Sequence, residues 1–214
     1  MAVYRGPQIV TNGLVLCLDA ADTNSYRGSG TTWYDLSGNN YHATIVGSVS
    51  HSNGVFTLPG TSGNYIQQLS LNLSTTNHTI IGASRYVTVG GRVFSGGANN
   101  WLMGHWSTST VKYYANGWVT NTTNNEQSDT NWRIYAATGN YTSDLWEFYI
   151  NGSIHTAANS GGVNGPNGFS IGRWYGSNTE YSNSQVAFLL AYNRILSSSE
   201  ILQNYNVMRT RFGV

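Results

Sequence analysis

Short apolar runs separated by Asn-Gly and Gly-rich turns set the rhythm of this chain. Asn-Gly pairs stand at 12–13, 53–54, 116–117, 151–152, 164–165 and 167–168. Both central residues of a type I′ turn need positive φ, which Asn and Gly tolerate best, so these pairs predict hairpin tips. The clearest hairpins are Lys112–Ala115 returning through Trp118–Thr120, and Leu145–Ile150 returning through Ser153–His155. Further strands are predicted at 13–20, 41–47, 54–59, 64–69, 78–82, 86–89, 91–95, 101–106, 131–138, 168–174 and 185–192. The last of these, Gln185 to Tyr192, is apolar on both faces, which places it in mid-sheet with both sides covered; Leu14–Leu18 reads the same way. One helix is predicted, over about 198–207. Ser197 and Glu200 form a capping box there, Leu196 staples onto Ile201, and Ile201, Leu202 and Tyr205 face the sheet. This pattern predicts an all-β antiparallel sandwich with one short C-terminal α-helix. Residues 1–12 read as an N-terminal arm and 13–214 as a single domain, with 156–168 a long surface loop.

Composition narrows the function classes. Asn, Gly, Ser and Thr make up 96 of 214 residues, and charged residues are 9%, with a net charge of +1. There is one Lys, Lys112, so no basic field exists to neutralise phosphates, and nucleic acid is not an expected partner. No run of eighteen apolar residues occurs, so no membrane-spanning helix is expected. The N-terminus lacks an apolar signal core, so a signal peptide is not expected. Cys17 is the only cysteine and sits in Leu14-Val15-Leu16-Cys17-Leu18, the setting of a buried, inert thiol.

Catalytic signatures are missing. Asp144 and Glu147 are the nearest carboxyl pair in one strand, but a spacing of three puts them on opposite faces, unsuited to glycoside hydrolysis. The histidines at 42, 51, 78, 105 and 155 show no zinc spacing, and no nucleophile elbow or phosphate-loop lysine occurs. The chain is therefore expected not to be an enzyme.

Several motifs resemble a known family. They are Gly13-Leu-Val-Leu-Cys-Leu-Asp19-Ala-Ala-Asp22; Trp33-Tyr-Asp35-Leu-Ser-Gly38-Asn-Asn-Tyr-His42; Arg92-Val-Phe-Ser-Gly with Asn100 to Trp106; Trp146 to Gly152; and Phe169 to Arg173. With the closing strand Ala187–Arg194 and the capped helix after Leu196, they resemble the laminin-G-like branch of the concanavalin A-like lectin/glucanase superfamily over about 10–210. The opening Tyr4-Arg5-Gly6-Pro7 to Val10 and the close Arg209 to Val214 are similar to virion proteins of tailed phages, especially those infecting cyanobacteria. The resemblance implies a two-sheet jelly roll without catalytic residues, displayed on a particle and leaving the host cytoplasm with it. The implied role is capsid decoration or another accessory surface protein, with other virion proteins and copies of itself as partners. The alternative is a lectin-like receptor-binding protein of a tail fibre or spike, recognising host surface polysaccharide.

Binding chemistry rests on the aromatic side chains. Flat rings stack on pyranose faces, and Trp101, Trp106, Tyr113, Tyr114, Trp118, Trp174 and Tyr175 fall in two clusters near strand ends. These rings read either as core or subunit interface, or as a sugar platform; the platform candidates are Trp106, Tyr113, Trp118, Trp174 and Tyr175. Trp101 and Trp106, five apart, take opposite faces of a regular strand, so at most one is presented. No cofactor is expected; calcium is the ion left open, with Asp19, Asp22 and Asp35 as its candidate ligands. Turn hydrogen bonding is the competing role for all three, and Asp35 in particular suits an acceptor of loop amides.

Overall fold

The computed structural model describes residues 8–120, 129–158 and 162–214. Among them are fifteen strands and one α-helix, followed by a short 3₁₀ turn. In chain order the strands begin β1 (Leu14–Asp19), β2 (Thr32–Trp33), β3 (Ala43–Val46), β4 (Ser50–Ser52) and β5 (Val55–Pro59). They continue with β6 (Tyr65–Asn72), β7 (His78–Tyr86), β8 (Arg92–Gly96), β9 (Trp101–Trp106) and β10 (Ser109–Ala115). The last are β11 (Arg133–Asn140), β12 (Leu145–Ile150), β13 (Ser153–Ala158), β14 (Asn167–Ile171) and β15 (Asn183–Tyr192), before α1 (Ser198–Met208). The first sheet runs β13-β12-β11-β7-β15-β5-β4, with β1 also pairing β15; the second runs β10-β9-β8-β14-β6-β3-β2. Every strand pair is antiparallel. The chain is the expected two-sheet β-sandwich.

The main core lies between the sheets, built on Trp33, Trp101, Trp146, Tyr113, Tyr135, Phe56, Phe94 and Phe148. A second apolar cluster covers the outer face of the first sheet, where Ile81, Phe188 and Leu190 meet Ile201 and Met208 of the helix. That second layer is why β15 is apolar on both faces: Leu189 looks into the sandwich and Leu190 looks toward the helix side.

The helix has its capping box as expected, but its buried face differs. Ile201, Asn204 and Met208 are buried, while Leu202 is 44% exposed. Asn204 takes the inward position because it is bonded on both sides. Its Oδ1 accepts the Val10 N–H at 2.8 Å and its Nδ2 donates to the Tyr192 hydroxyl, which donates to the Val10 carbonyl at 2.9 Å. Of the arm expected over 1–12, residues 1–7, including Tyr4 to Pro7, lie outside the described residues; Ile9 and Val10 pack against the outer cluster.

The turns divide the Asn-Gly pairs. Asn53-Gly54 and Asn151-Gly152 have φ of 52°, 72°, 51° and 77° and close the β4–β5 and β12–β13 hairpins. After Asn116, at φ 58°, the expected return strand at 118–120 reduces to an isolated bridge between Tyr114 and Trp118. Asn167-Gly168 opens β14 and shifts its register against β6 instead of closing a hairpin. The expected strands 78–82 and 86–89 are replaced by β7, which ends at Tyr86; Gly90 and Gly91, at φ 142° and 77°, lie in the loop that follows. β2 and β4 escape the sequence pattern because two or three residues are too few to show an alternation.

Candidate functional site

On β9, Trp101 and Met103 belong to the core and His105 is fully buried, so Trp106 points out of the sandwich, half-buried. On the neighbouring β10, Tyr113 is in the core and Tyr114 points outward. Trp118, brought back by the turn at Asn116, packs between these outward rings. Its centroid is 5.2 Å from that of Trp106 and 5.0 Å from that of Tyr114, with tilted or edge-on planes.

The row continues across the sheet through arginines. Arg92 on β8 is the cross-strand partner of Trp106. Its guanidinium lies 5.1 Å from the Trp174 ring, donates to Glu180 Oε2 at 2.7 Å and to Asn100 Oδ1 at 2.8 Å. Burial is the larger influence on Arg92 and draws its pKa below the ordinary arginine value, with Glu180 opposing it. Trp174 is pinned from the other side by a backbone bridge to Thr179. Beyond it, Arg173 stacks 3.3 Å from the Tyr65 ring and 5.3 Å from the Tyr175 ring, and donates to Ser170, Gln67 and Asn178. Tyr181 donates to the same Asn178 oxygen at 2.6 Å. A cavity of about 280 Å³ between Gly91, Trp106, Ser107, Glu180 and Tyr181 opens along this row.

The outer face of the second sheet therefore carries Tyr114, Trp118, Trp106, Trp174, Tyr175 and Tyr65 in sequence, tied together by Arg92 and Arg173. Chemically it offers tilted aromatic faces next to short amide and hydroxyl groups, with one carboxylate, Glu180, already engaged by Arg92. Four of the five aromatic residues expected as a platform are in this row. The fifth, Tyr113, is not: it is fully buried, and its hydroxyl donates to the Thr138 carbonyl at 3.0 Å between the sheets. Trp101 is fully buried as well, on the face opposite Trp106. Sequence reasoning passed over Tyr65, Arg92 and Arg173, whose place in the row depends on pairing across the sheet.

The aspartates considered for calcium are occupied by the protein. Asp35, 8% exposed, accepts the Cys17 and Ser37 amides on Oδ1, and the Tyr41 amide and Ser37 hydroxyl on Oδ2. Asp19 accepts the Ala21 amide and pairs with Arg211 at 2.9 Å, and Asp22 caps Asn24. Among the described residues no three His, Cys, Asp or Glu side chains come together as a metal-binding group. Cys17 is buried, and burial ahead of the nearby aspartates pushes its thiol up to about 12, so it stays protonated and unreactive.

No family model matches the chain, and no curated protein matches it. Solved structures do. Domain 4 of AbnA, an extracellular arabinanase of Geobacillus stearothermophilus solved with arabinotriose, aligns at TM-score 0.66 and 16% identity, over 90% of this chain and 98% of that one. The binding domain of Paraclostridial Mosquitocidal Protein 1 aligns at 0.65 and 17%, over 92% of this chain. The botulinum neurotoxin serotype D ligand-binding domain, solved with N-acetylneuraminic acid, aligns at 0.63 and 14%, over 93%. What they share with this chain is the fold. The chain spans about half of each toxin chain, at 52%, and a third of a Trypanosoma rangeli sialidase, at 33%.

Proposed function

We propose that the chain is a non-catalytic glycan-binding module that uses the aromatic row on the outer face of its second sheet. The observation that carries this reading is the half-exposed run Tyr114–Trp118–Trp106 continued by Trp174, whose position Arg92 sets from the neighbouring strand. Indole faces of this kind supply area for a pyranose ring, and the adjoining Asn, Gln and Tyr groups supply hydrogen bonds. The similar folds of domains solved with arabinotriose and N-acetylneuraminic acid support a saccharide over a peptide ligand. Hydrolysis is not part of the proposal, since general acid–base cleavage needs two placed carboxyl groups and the row holds Glu180 alone, held by Arg92. A glycan array supplies the test. The protein retains a defined set of saccharides, and Trp118→Ala and Trp174→Ala each weaken retention about ten-fold or more while the thermal midpoint stays close to wild type. Absence of any retained glycan at millimolar concentration overturns the reading.

The place of action we propose is the surface of a tailed-phage particle, as a decorating or receptor-recognising protein that docks on other virion proteins and on copies of itself. The support is the sequence resemblance of the opening Tyr4–Val10 and of the closing segment Arg209–Val214. Mass spectrometry of purified particles is expected to find the chain in many copies; its absence from them removes this part of the proposal.

A further inference from the structure

The larger open cavity lies on the other sheet, away from the aromatic row. It measures about 540 Å³, and its walls include Val55, Arg85, Trp132, Gln185, Arg211 and Phe212. Trp132 and Phe212 come from before β11 and after the helix, and their rings lie 4.7 Å apart at 33°, forming one apolar wall. Arg85 leans over Trp132, its guanidinium carbon 5.5 Å from the ring centre.

The polar side of the cavity is built. Arg85 Nε donates to Gln185 Oε1 at 2.8 Å, and Gln185 Nε2 donates to Thr57 Oγ1 at 3.0 Å. This chain of bonds engages both ends of the Gln185 amide and fixes the guanidinium plane. No carboxylate of the described residues pairs with Arg85. Arg211, at the rim, is paired with Asp19 through one nitrogen. The cavity lining contains two guanidinium groups and no acidic side chain.

We infer that this groove is a second binding site, for an acidic monosaccharide residue of the hexuronate class. A fixed guanidinium edge suits the two oxygens of a carboxylate, which a point charge does not match as well. The Trp132–Phe212 wall suits the apolar face of a pyranose ring carrying that carboxylate, and the volume suits one sugar residue. The site is independent of the aromatic row, so either can fail without the other.

Calorimetric or NMR titration with methyl β-glucuronoside tests it, against its methyl ester, methyl β-glucoside and acetate. The glucuronoside is expected to bind about ten-fold or more tightly than all three, and Arg85→Gln to lose that preference. Arg85→Lys is expected to recover part of it, because charge returns without the two-nitrogen edge. Trp118→Ala, which alters the row, leaves glucuronoside binding unchanged. Equal affinity for the glucoside, or an Arg85→Gln variant that folds normally and binds the glucuronoside like wild type, overturns the site. Equal affinity for acetate overturns the sugar assignment.

Discussion

Acidification from pH 6.5 to 4.5 is expected to remove about 5 kcal/mol of folding free energy, because two histidines are buried neutral. His78 is fully buried against Trp146 and Tyr141. Its Nδ1–H donates to the Thr76 carbonyl at 2.7 Å, and its Nε2 has no partner among the described residues. His105 is fully buried between Tyr86 and Tyr135, with Ser84 at 3.1 Å from Nδ1 and no partner on Nε2 among the described residues. Burial holds His78 down to about 4 and His105, aided by the charge of Arg133, down to about 3. In the unfolded chain both take up protons near pH 6.5, so the unfolded state binds more protons as the pH falls. The stabilisation is therefore complete above pH 6.5 and is lost toward the folded-state values, at about 1.4 kcal/mol per pH unit for each ring. Asp129 and Glu200, held at about 2 by Arg133 and Arg194, extend the loss in the same direction at still lower pH. Urea midpoints measured at pH 7.5 and 4.5 check this. A midpoint that does not move contradicts the burial of neutral rings, and replacing both histidines by Gln flattens the dependence.

Asp35→Ala is expected to cost about 4 kcal/mol of unfolding free energy. The carboxylate accepts four hydrogen bonds at 2.8, 2.9, 3.0 and 2.8 Å, from Cys17, Ser37, Tyr41 and the Ser37 hydroxyl. Bonds to an ionised acceptor contribute about 1.5–3 kcal/mol each, and the Cys17 amide is left buried without a partner when the acceptor goes. Asp35→Asn is expected to cost about half as much. One oxygen still serves Cys17 and Ser37, while the new amide nitrogen faces the Tyr41 N–H, donor against donor. Denaturant unfolding of the two variants measures both values. A loss under 1 kcal/mol for Asp35→Ala would show that the loop between β2 and β3 is held by something else.

Much of this architecture was legible where a local pattern has one physical outcome. The doubly apolar run of β15 required a layer on each side, and the capping box of Ser197 and Glu200 started the helix where it begins. The parity of Trp101 and Trp106 put one ring in the core and one outside. Asp35 in a turn-rich run after an aromatic anchor read as an acceptor of loop amides, and that is how it is bonded. Other features depend on distant partners and leave no local trace. Tyr113 and Tyr114 are equivalent in sequence; pairing with Met103 and Leu102 decides which one enters the core. Leu202 reads as a core residue, but the inward place belongs to Asn204 because Val10 and Tyr192 bond to it. The groove around Arg85 joins side chains from opposite ends of the chain, so no window of sequence contains it.

On the proposed reading, the rings on the outer face of the second sheet meet a saccharide. The chain has seven tryptophans, each with one indole N–H that gives its own NMR signal. Titrating a glycan retained on the array into the isotope-labelled protein is expected to shift the signals of Trp106, Trp118 and Trp174. Those of the fully buried Trp33 and Trp101 should stay in place. Shifts confined to Trp132, or no shift among the three outward rings at saturating glycan, would rule out the aromatic row as the saccharide site.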